Sequence, residues 1–351
     1  MRTATDHVQE LVPHLPKGRV ILSGIQPSGR LHIGNYFGAI RQHLAFQYEN
    51  RAFYFIANYH ALTSMQDRAL LERYTLDVAL DYLALGLDPE RATFFLQSDV
   101  PQVTELAWIF SCLVPVSLLE KGVSYKDKIA KGLSPVAGLL TYPVLQAADI
   151  LIYGAELVPV GQDQKQHLEF ARDIAQKFNH LYGELLKLPE PYIHPDVAVV
   201  PGIDGQKMSK SYGNTIEIFA SGPALRKRIM SIVTDSTPLE APKDPDTCTV
   251  FALLKLFATP EELAEIRKAY LRGGYGYGQA KERLYTLMEH YFAEARERRL
   301  YWEAHLDEVR DILREGGRRA REVAEELMER VRQATGLLTT YSSVFATRNE
   351  P

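Results

Sequence analysis

Two short segments carry residue types suited to work on phosphate. Residues 23–35 (SGIQPSGRLHIGN) follow an apolar run and open a helical pattern. A strand-to-helix turn of this kind aims unpaired backbone N–H groups and the positive helix end at an anion. Gly24, Gly29 and Gly34 let the backbone come close to a ligand. Gln26, Pro27 and Ser28 make the turn, and His32 and Asn35 can hydrogen-bond to phosphate oxygens. There is no GxxxxGK[ST] and no GxGxxG, which excludes the phosphate-loop NTPase and dinucleotide readings. Taken alone, the segment also fits an ordinary glycine-rich turn with a structural histidine.

The second segment, Lys207-Met208-Ser209-Lys210-Ser211, lies in residues 202–214 (GIDGQKMSKSYGN). Two ammonium groups on a loop flanked by Gly205 and Gly213 suit a polyphosphate that gains charge as it leaves. A solvated basic loop is the alternative. The two loops together, one after the first strand and one after the last, are far more specific than either. A third stretch, residues 142–167 (YPVLQAADILIYGAELVPVGQDQKQH), sets Gln146, Asp149 and Tyr153 at i, i+3 and i+7. That spacing shares one helix face, so Gln146 and Asp149 are joint lining of one pocket.

Apolar runs at 19–23, 53–58, 93–97, 156–160 and 197–200 read as buried strands. Helical patterns separate them over 67–85, 102–113, 143–153 and 163–179. Asp67 is a cap, and Gly86 and Pro89 are stops. Strand alternating with helix predicts an α/β layout with a parallel sheet. Residues 1–18 read as a short, partly ordered leader. Residues 115–137 read as an insertion or mobile connection. After about 214 every pattern is helical, which sets a boundary there and leaves a tail at 341–351.

The two loops resemble the HIGH and KMSKS motifs of the class I aminoacyl-tRNA synthetases, and the likeness runs from about residue 19 to 337. Asn35 in the last place of His32-Ile33-Gly34-Asn35 is similar to the tryptophan branch. The resemblance implies a Rossmann-type catalytic domain over 19–213 with a connecting insertion near 100–140. It also implies a helical anticodon-binding domain over 214–340 and a homodimer.

Tryptophan and tyrosine enzymes share this architecture, so pocket chemistry decides between them. A phenol hydroxyl donates and accepts, whereas an indole N–H only donates. Leu22 and Gln26 stand where the tyrosine enzymes have Tyr and Asp, and Asp149 remains as one acceptor. The resemblance further implies that Tyr142 and Gln164 hold the amino group, and that Gly24, Val158, Val160 and His60 line the pocket. His60 reads equally well as a satisfied histidine at a strand end. Gln146 departs from the Met of many bacterial relatives. It either adds a polar contact to the indole or hydrogen-bonds to Asp149.

The implied reaction is ATP-dependent activation of L-tryptophan, followed by transfer to tRNA(Trp). His32, Asn35 and the loop amides would face the phosphates, and Lys207 and Lys210 the departing pyrophosphate. Met208, Ser209 and Ser211 complete that loop. Gly161, Gln162 and Asp163 resemble the ribose turn, and Val199 would offer its backbone to adenine. Lys128 would reach ATP or the acceptor end. Mg²⁺ would arrive with ATP, with no protein-held metal.

Composition adds exclusions. The 351 residues carry a net charge of −4, so bulk charge gives no support for nucleic-acid binding. Between 281 and 332 there are 12 Lys/Arg against 13 Asp/Glu, the balance of a solvated helical surface. Arg296/Arg298/Arg299 and Arg318/Arg319/Arg321 either meet tRNA phosphates or form surface ion pairs. Cys112 and Cys248 are in no metal-like spacing. The N-terminus lacks a signal or transit pattern, and no apolar run approaches the roughly 18 residues of a membrane span, so a cytoplasmic location is expected. Three other readings stay open: a tyrosine enzyme, a small-molecule adenylyltransferase, and a tryptophan-binding paralogue with a further partner.

Overall fold

A computed structural model describes residues 1–130, 132, 134–161, 165–193 and 199–337, with the backbone only at 123, 124, 127 and 128. Five parallel strands form one sheet: β1 (Val20–Ile25), β2 (Arg51–Ile56), β3 (Ala92–Leu96), β4 (Leu157–Pro159) and β5 (Glu190–Tyr192). Their spatial order is β3-β2-β1-β4-β5. The order reverses between β1 and β4, and a crevice opens beyond the carboxyl ends of those strands. Both faces of the sheet are covered, which is why β2 is almost entirely buried and apolar. Ile21, Tyr54 and Ile56 point into one core, and Leu22, Phe53 and Phe55 into the other, the two-residue period of a strand.

The first four expected strands fall on β1–β4. The fifth is corrected. Residues 199 and 200 lie outside any strand, and 197 and 198 lie outside the described residues. Among the described residues the last strand is Glu190-Pro191-Tyr192, at the sheet edge beside β4. A proline has no N–H for a ladder, so it is tolerated where one side of the strand has no neighbour.

The helix Arg68–Leu85 is capped by Asp67, whose Oδ1 accepts from Leu70 N at 3.0 Å, and it ends at Gly86 with φ 106°. The helix expected from Pro143 instead begins at Ala137 and carries Pro143 inside it. Burial of Val144, Ala147, Ala148 and Leu151 outweighs the hydrogen bond that Pro143 removes. Residues 115–137 contain two short helices, Val116–Leu119 and Val123–Ala130.

Residues 1–18 are more ordered than expected. Ala4–Leu11 is a helix with a reciprocal Thr3–Asp6 cap. His7 on that helix is buried between Arg41 and Tyr291, at 2.6 and 2.8 Å. Arginine only donates, so Nε2 accepts from it and Nδ1–H donates to the Tyr291 oxygen. Burial first, then Arg41 and Arg2, push His7 down to about 2, so the ring stays neutral. This knot ties the N-terminal helix to the segment that follows His32.

Among the described residues six helices follow residue 214, the longest being Leu306–Thr335. The pattern over 279–306 breaks at Phe292 into Tyr277–Tyr291 and Ala293–Ala304. Leu306–Thr335 packs directly on β3. A Cβ at Gly316 would overlap the Phe94 carbonyl, and one at Gly317 would press on the Asp99 side chain. The two arginine clusters make internal contacts. Arg299 pairs with Asp77, Asp81 and Glu303, and Arg296 with Glu289. Arg298 and Arg319 donate to the carbonyls of Ala84 and Pro89. Arg321 donates to the Asp99 carbonyl, while Arg318 pairs with Glu315 and Glu322. No helix among the described residues is long and apolar enough to cross a membrane.

Candidate active site

A cleft of about 560 Å³ lies at the strand-order reversal. Nine of the residues expected to hold the amino acid line it: Leu22, Gly24 and Gln26 from β1 and its turn, His60, Tyr142, Gln146 and Asp149, and Val158 and Val160 around β4. The tenth, Gln164, lies outside the described residues, as do Gln162 and Asp163. Glycine is required at 24, because a Cβ there would overlap the Phe55 ring that faces it across β1 and β2.

At the closed end the Asp149 carboxylate is 1 % exposed. His60 Nε2 lies 2.8 Å from Oδ2, and Gln97 Nε2 lies 3.0 and 2.8 Å from Oδ1 and Oδ2. Burial pushes Asp149 up, and the His60 and Gln97 contacts oppose that rise. Of the two readings of Gln146, a hydrogen bond to Asp149 is not what the structure has. His60 and Gln97 take that place, while Gln146 is half-buried in the cleft wall. Tyr142 OH meets His167 Nε2 at 2.9 Å, and His167 also lines the cleft.

Of the two loops, residues 23–26 and Asn35 line the cleft, whereas His32 and the lysine loop lie outside its lining and pair with each other beside it. His32 N donates to Asn35 Oδ1 at 3.1 Å, closing the helix entry. Ile33 N donates to the Ile216 carbonyl, and Ile218 N to that of Leu31, so the segment after the lysine loop pairs with the histidine loop. His32 is 6 % exposed, and its Nδ1 has no hydrogen-bond partner among the described residues. Burial first, and then Lys210, push it down to about 4. The ring is therefore neutral at pH 7.

Lys210 reaches across the gap between the loops. Its Nζ donates to the Gly29 carbonyl at 2.9 Å and to Ser28 Oγ at 3.3 Å. Burial lowers it to about 8. Lys207 is exposed, as is Ser211, and Ser209 Oγ and Ser211 Oγ are 2.9 Å apart. Met208 is 5 % exposed and packs under Gly34, and its N–H donates to the Val200 carbonyl at 2.9 Å. Pro27 is buried, whereas Gln26 and Ser28 are exposed. Asn35 and Gly161 line the cleft, and Val199 is 66 % exposed and does not.

Four residues of this region have no motif to betray them. Gln97 directly follows β3, and His167 lies in the Lys165–Tyr182 helix. His43 lies on the cleft-lining face of Asn35 and Ala39, and burial lowers it to about 3. Asn214 organises the lysine loop: Oδ1 accepts from Ser209 N at 2.8 Å, and Nδ2 donates to Asp204 at 2.8 Å and to the Lys207 carbonyl at 3.1 Å. For His43 alone a signal was available, the i, i+4, i+8 run of Asn35, Ala39 and His43. The side chain of Lys128 lies outside the described residues. Among those residues, no group of three His, Cys, Asp or Glu could hold a metal ion.

Comparison with known proteins accords with this geometry. The family model of tRNA synthetases class I (W and Y) matches residues 17–293, well over half of the chain. A tryptophan–tRNA ligase of Fusobacterium nucleatum is 55% identical over 318 residues, covering 90% of this chain and 98% of the relative. The corresponding ligase of Rhodopirellula baltica is 52% identical, covering 90% and 99%. Among solved structures, the tryptophanyl-tRNA synthetase of Campylobacter jejuni, complexed with ADP and tryptophan, superposes with a TM-score of 0.85 at 51% identity. It covers 91% of this chain and all of that one. With the cleft at the strand reversal and both loops in place, the chain belongs to the class I aminoacyl-tRNA synthetases of the tryptophan and tyrosine family, in its bacterial tryptophanyl branch.

Proposed function

We propose that this cleft activates L-tryptophan with ATP to tryptophanyl-adenylate and passes the aminoacyl group to tRNA(Trp). The observation that carries the reading is a single cleft with a buried carboxylate, Asp149, at one end and the glycine loop at the other. Indole offers one N–H donor, and Asp149 is an acceptor opposite the apolar Leu22, Val158 and Val160. A rival side chain without that donor would leave the buried carboxylate short of a partner, which discriminates strongly. Tyr142, with Gln164, holds the substrate's amino group.

The substrate carboxylate then attacks the α-phosphorus of ATP, and pyrophosphate leaves. Positioning and charge stabilisation supply the rate, with no protein nucleophile. Neutral His32, with Asn35 and the loop amides, donates to phosphate oxygens. Lys210 exchanges the Gly29 carbonyl for pyrophosphate oxygen, and Lys207, already in solvent, joins it. Gln26, Pro27, Ser28, Gly34 and the 207–211 loop form the phosphate-facing wall. Gly161, Gln162 and Asp163 hold the ribose and the Val199 backbone the adenine, while Lys128 reaches ATP or the acceptor end. Mg²⁺ comes with ATP as part of the substrate, since oxygen-rich phosphate supplies its ligands.

We further place the enzyme in the cytoplasm as a homodimer. Trp108 and Val116, 71% and 60% exposed, offer an apolar surface for a second copy. Residues 214–340 serve the anticodon end of tRNA(Trp). Amino-acid-dependent ATP–pyrophosphate exchange tests the core of the proposal. Exchange with tryptophan, followed by charging of tRNA(Trp), is expected. Exchange with tyrosine alone would overturn the specificity, and no exchange with either would leave a binding protein.

A further inference from the structure

We propose that Gln97 is a positioning residue for tryptophan recognition: its side-chain amide orients the Asp149 carboxylate and leaves one lone pair of Asp149 Oδ1 for the indole N–H. The proposal rests on the tryptophan reading of the cleft. Gln97 is 1 % exposed at the carboxyl end of β3. Both ends of its amide are engaged. Oε1 accepts from the backbone N–H groups of Tyr59 at 3.0 Å and His60 at 3.4 Å. Backbone N–H groups only donate, so the amide oxygen must face them and the NH₂ must face Asp149.

The count of lone pairs gives the consequence. Each carboxylate oxygen can accept about two hydrogen bonds. Oδ2 receives His60 Nε2 at 2.8 Å and Gln97 Nε2 at 2.8 Å, whereas Oδ1 receives only Gln97 at 3.0 Å. Oδ2 is therefore full and Oδ1 is not. One amide thus chooses which oxygen meets the substrate and pins the His60 backbone at the same time.

The support behind Gln97 is equally dense. The next residue, Ser98, is laced to Asn58 in both directions: Ser98 N donates to Asn58 Oδ1 at 3.1 Å, and Asn58 Nδ2 donates to Ser98 Oγ at 2.7 Å. Asp99 holds the same turn to the last helix through Arg321, at 2.9 Å. A side chain fixed on both flanks has little freedom to follow a displaced carboxylate, so the order of cause runs from Gln97 to Asp149.

The titratable groups around Asp149 are His60 from the Asn58–Ala61 helix, Tyr142 and Tyr153 from its own helix, and His167, which meets Tyr142. Burial raises Asp149, and the Gln97 contact opposes that rise. Removing the amide donor should raise it further, which moves the acid limb of the pH profile toward neutrality.

The test compares the full-length enzyme with Gln97→Met, which keeps length but no hydrogen bonds, and Gln97→Glu, which keeps shape but sets a carboxyl against Asp149. In ATP–pyrophosphate exchange, KM for tryptophan should rise on the order of 10- to 100-fold in both, the scale of one unsatisfied buried polar contact. KM for ATP should not change. In Gln97→Met, the acid limb of kcat/KM for tryptophan should move to higher pH. Should Gln97→Met not fold, Gln97→Glu carries the same KM comparison. Unchanged tryptophan KM with an unmoved acid limb would overturn the proposal, as would tryptophan and ATP constants rising in step. A parent enzyme that exchanges with tryptophan while Gln97→Met behaves like it sinks only this inference. A parent without tryptophan exchange sinks the underlying reading.

Discussion

The two ends of the cleft are built on opposite plans. At the Asp149 end the carboxylate and its two donors, His60 and Gln97, are buried and paired, and the donors come from two separate elements. At the loop end the groups are exposed or loosely held: Lys207 is in solvent, Lys210 borrows a carbonyl from Gly29, and His32 keeps one ring nitrogen unpartnered. Selecting a side chain rewards a rigid, dry site, because a wrong partner then leaves a buried group unpaired. Stabilising a leaving group requires charges that can change partners as the reaction proceeds.

That contrast makes ordered predictions. The largest effect is expected from Asp149→Ala. It strands His60 and Gln97 in the interior and should cost about 3–5 kcal/mol of stability, with loss of tryptophan exchange; urea unfolding read alongside exchange checks it. A near-parental unfolding midpoint would mean that the buried end is less tightly coupled than its geometry implies. Lys210→Ala should do the reverse. Exchange should fall by roughly 10²–10³ while stability and tryptophan binding hold, since the residue acts only as charge develops. Equal losses in binding and turnover would blur the distinction between the two ends.

Gly316→Ala comes next. Its Cβ meets the β3 backbone, which cannot move aside as a flexible side chain can, so about 1–3 kcal/mol of destabilisation is expected by thermal melting. The smallest effect is in pH. In the proposed mechanism Lys210 works as a cation, and burial lowers it to about 8. Activity measured as kcat/KM for ATP should therefore decline above pH 8, roughly tenfold per unit, and be restored in kcat by bound polyphosphate. The same lowered value means that the folded state binds fewer protons than the unfolded one between about 8 and 10.5. The Lys210 contribution to stability thus rises with pH across that window. An alkaline limb that persists unchanged in Lys210→Arg would assign it to another group.

Much of this was readable from the chain. The loops declared themselves because glycine spacing and paired lysines serve one kind of chemistry, and β1–β4 because buried parallel strands are continuous apolar runs. β5 escaped because Glu190-Pro191-Tyr192 is short, half-polar and at an edge, while the apolar run at 197–200 drew the expectation. The N-terminal helix had a signal, Thr3 followed by Asp6, that its short length concealed. Gln97, His167 and Asn214 were invisible for another reason. Each matters through what it touches, 5 to 10 residues away for Asn214, 25 for His167 and 37 to 52 for Gln97, and no local pattern encodes that. The arginine clusters carried the converse lesson. Their charge was legible, but their partners were not, and those partners turned out to be this protein's own carbonyls and carboxylates.

The seat of Gly316 and Gly317 on β3 also bears on how the protein is made. Translation delivers the sheet strands early, yet one flank of β3 stays bare until the Leu306–Thr335 helix emerges from the ribosome. Because chains begin to fold from the N-terminal side during synthesis, a half-finished product must wait with the β3 backbone at Phe94 open to water or to a chaperone. Stalled nascent chains ending at residue 305 should accordingly be cut by protease within the β3 region, and chains released at full length should not.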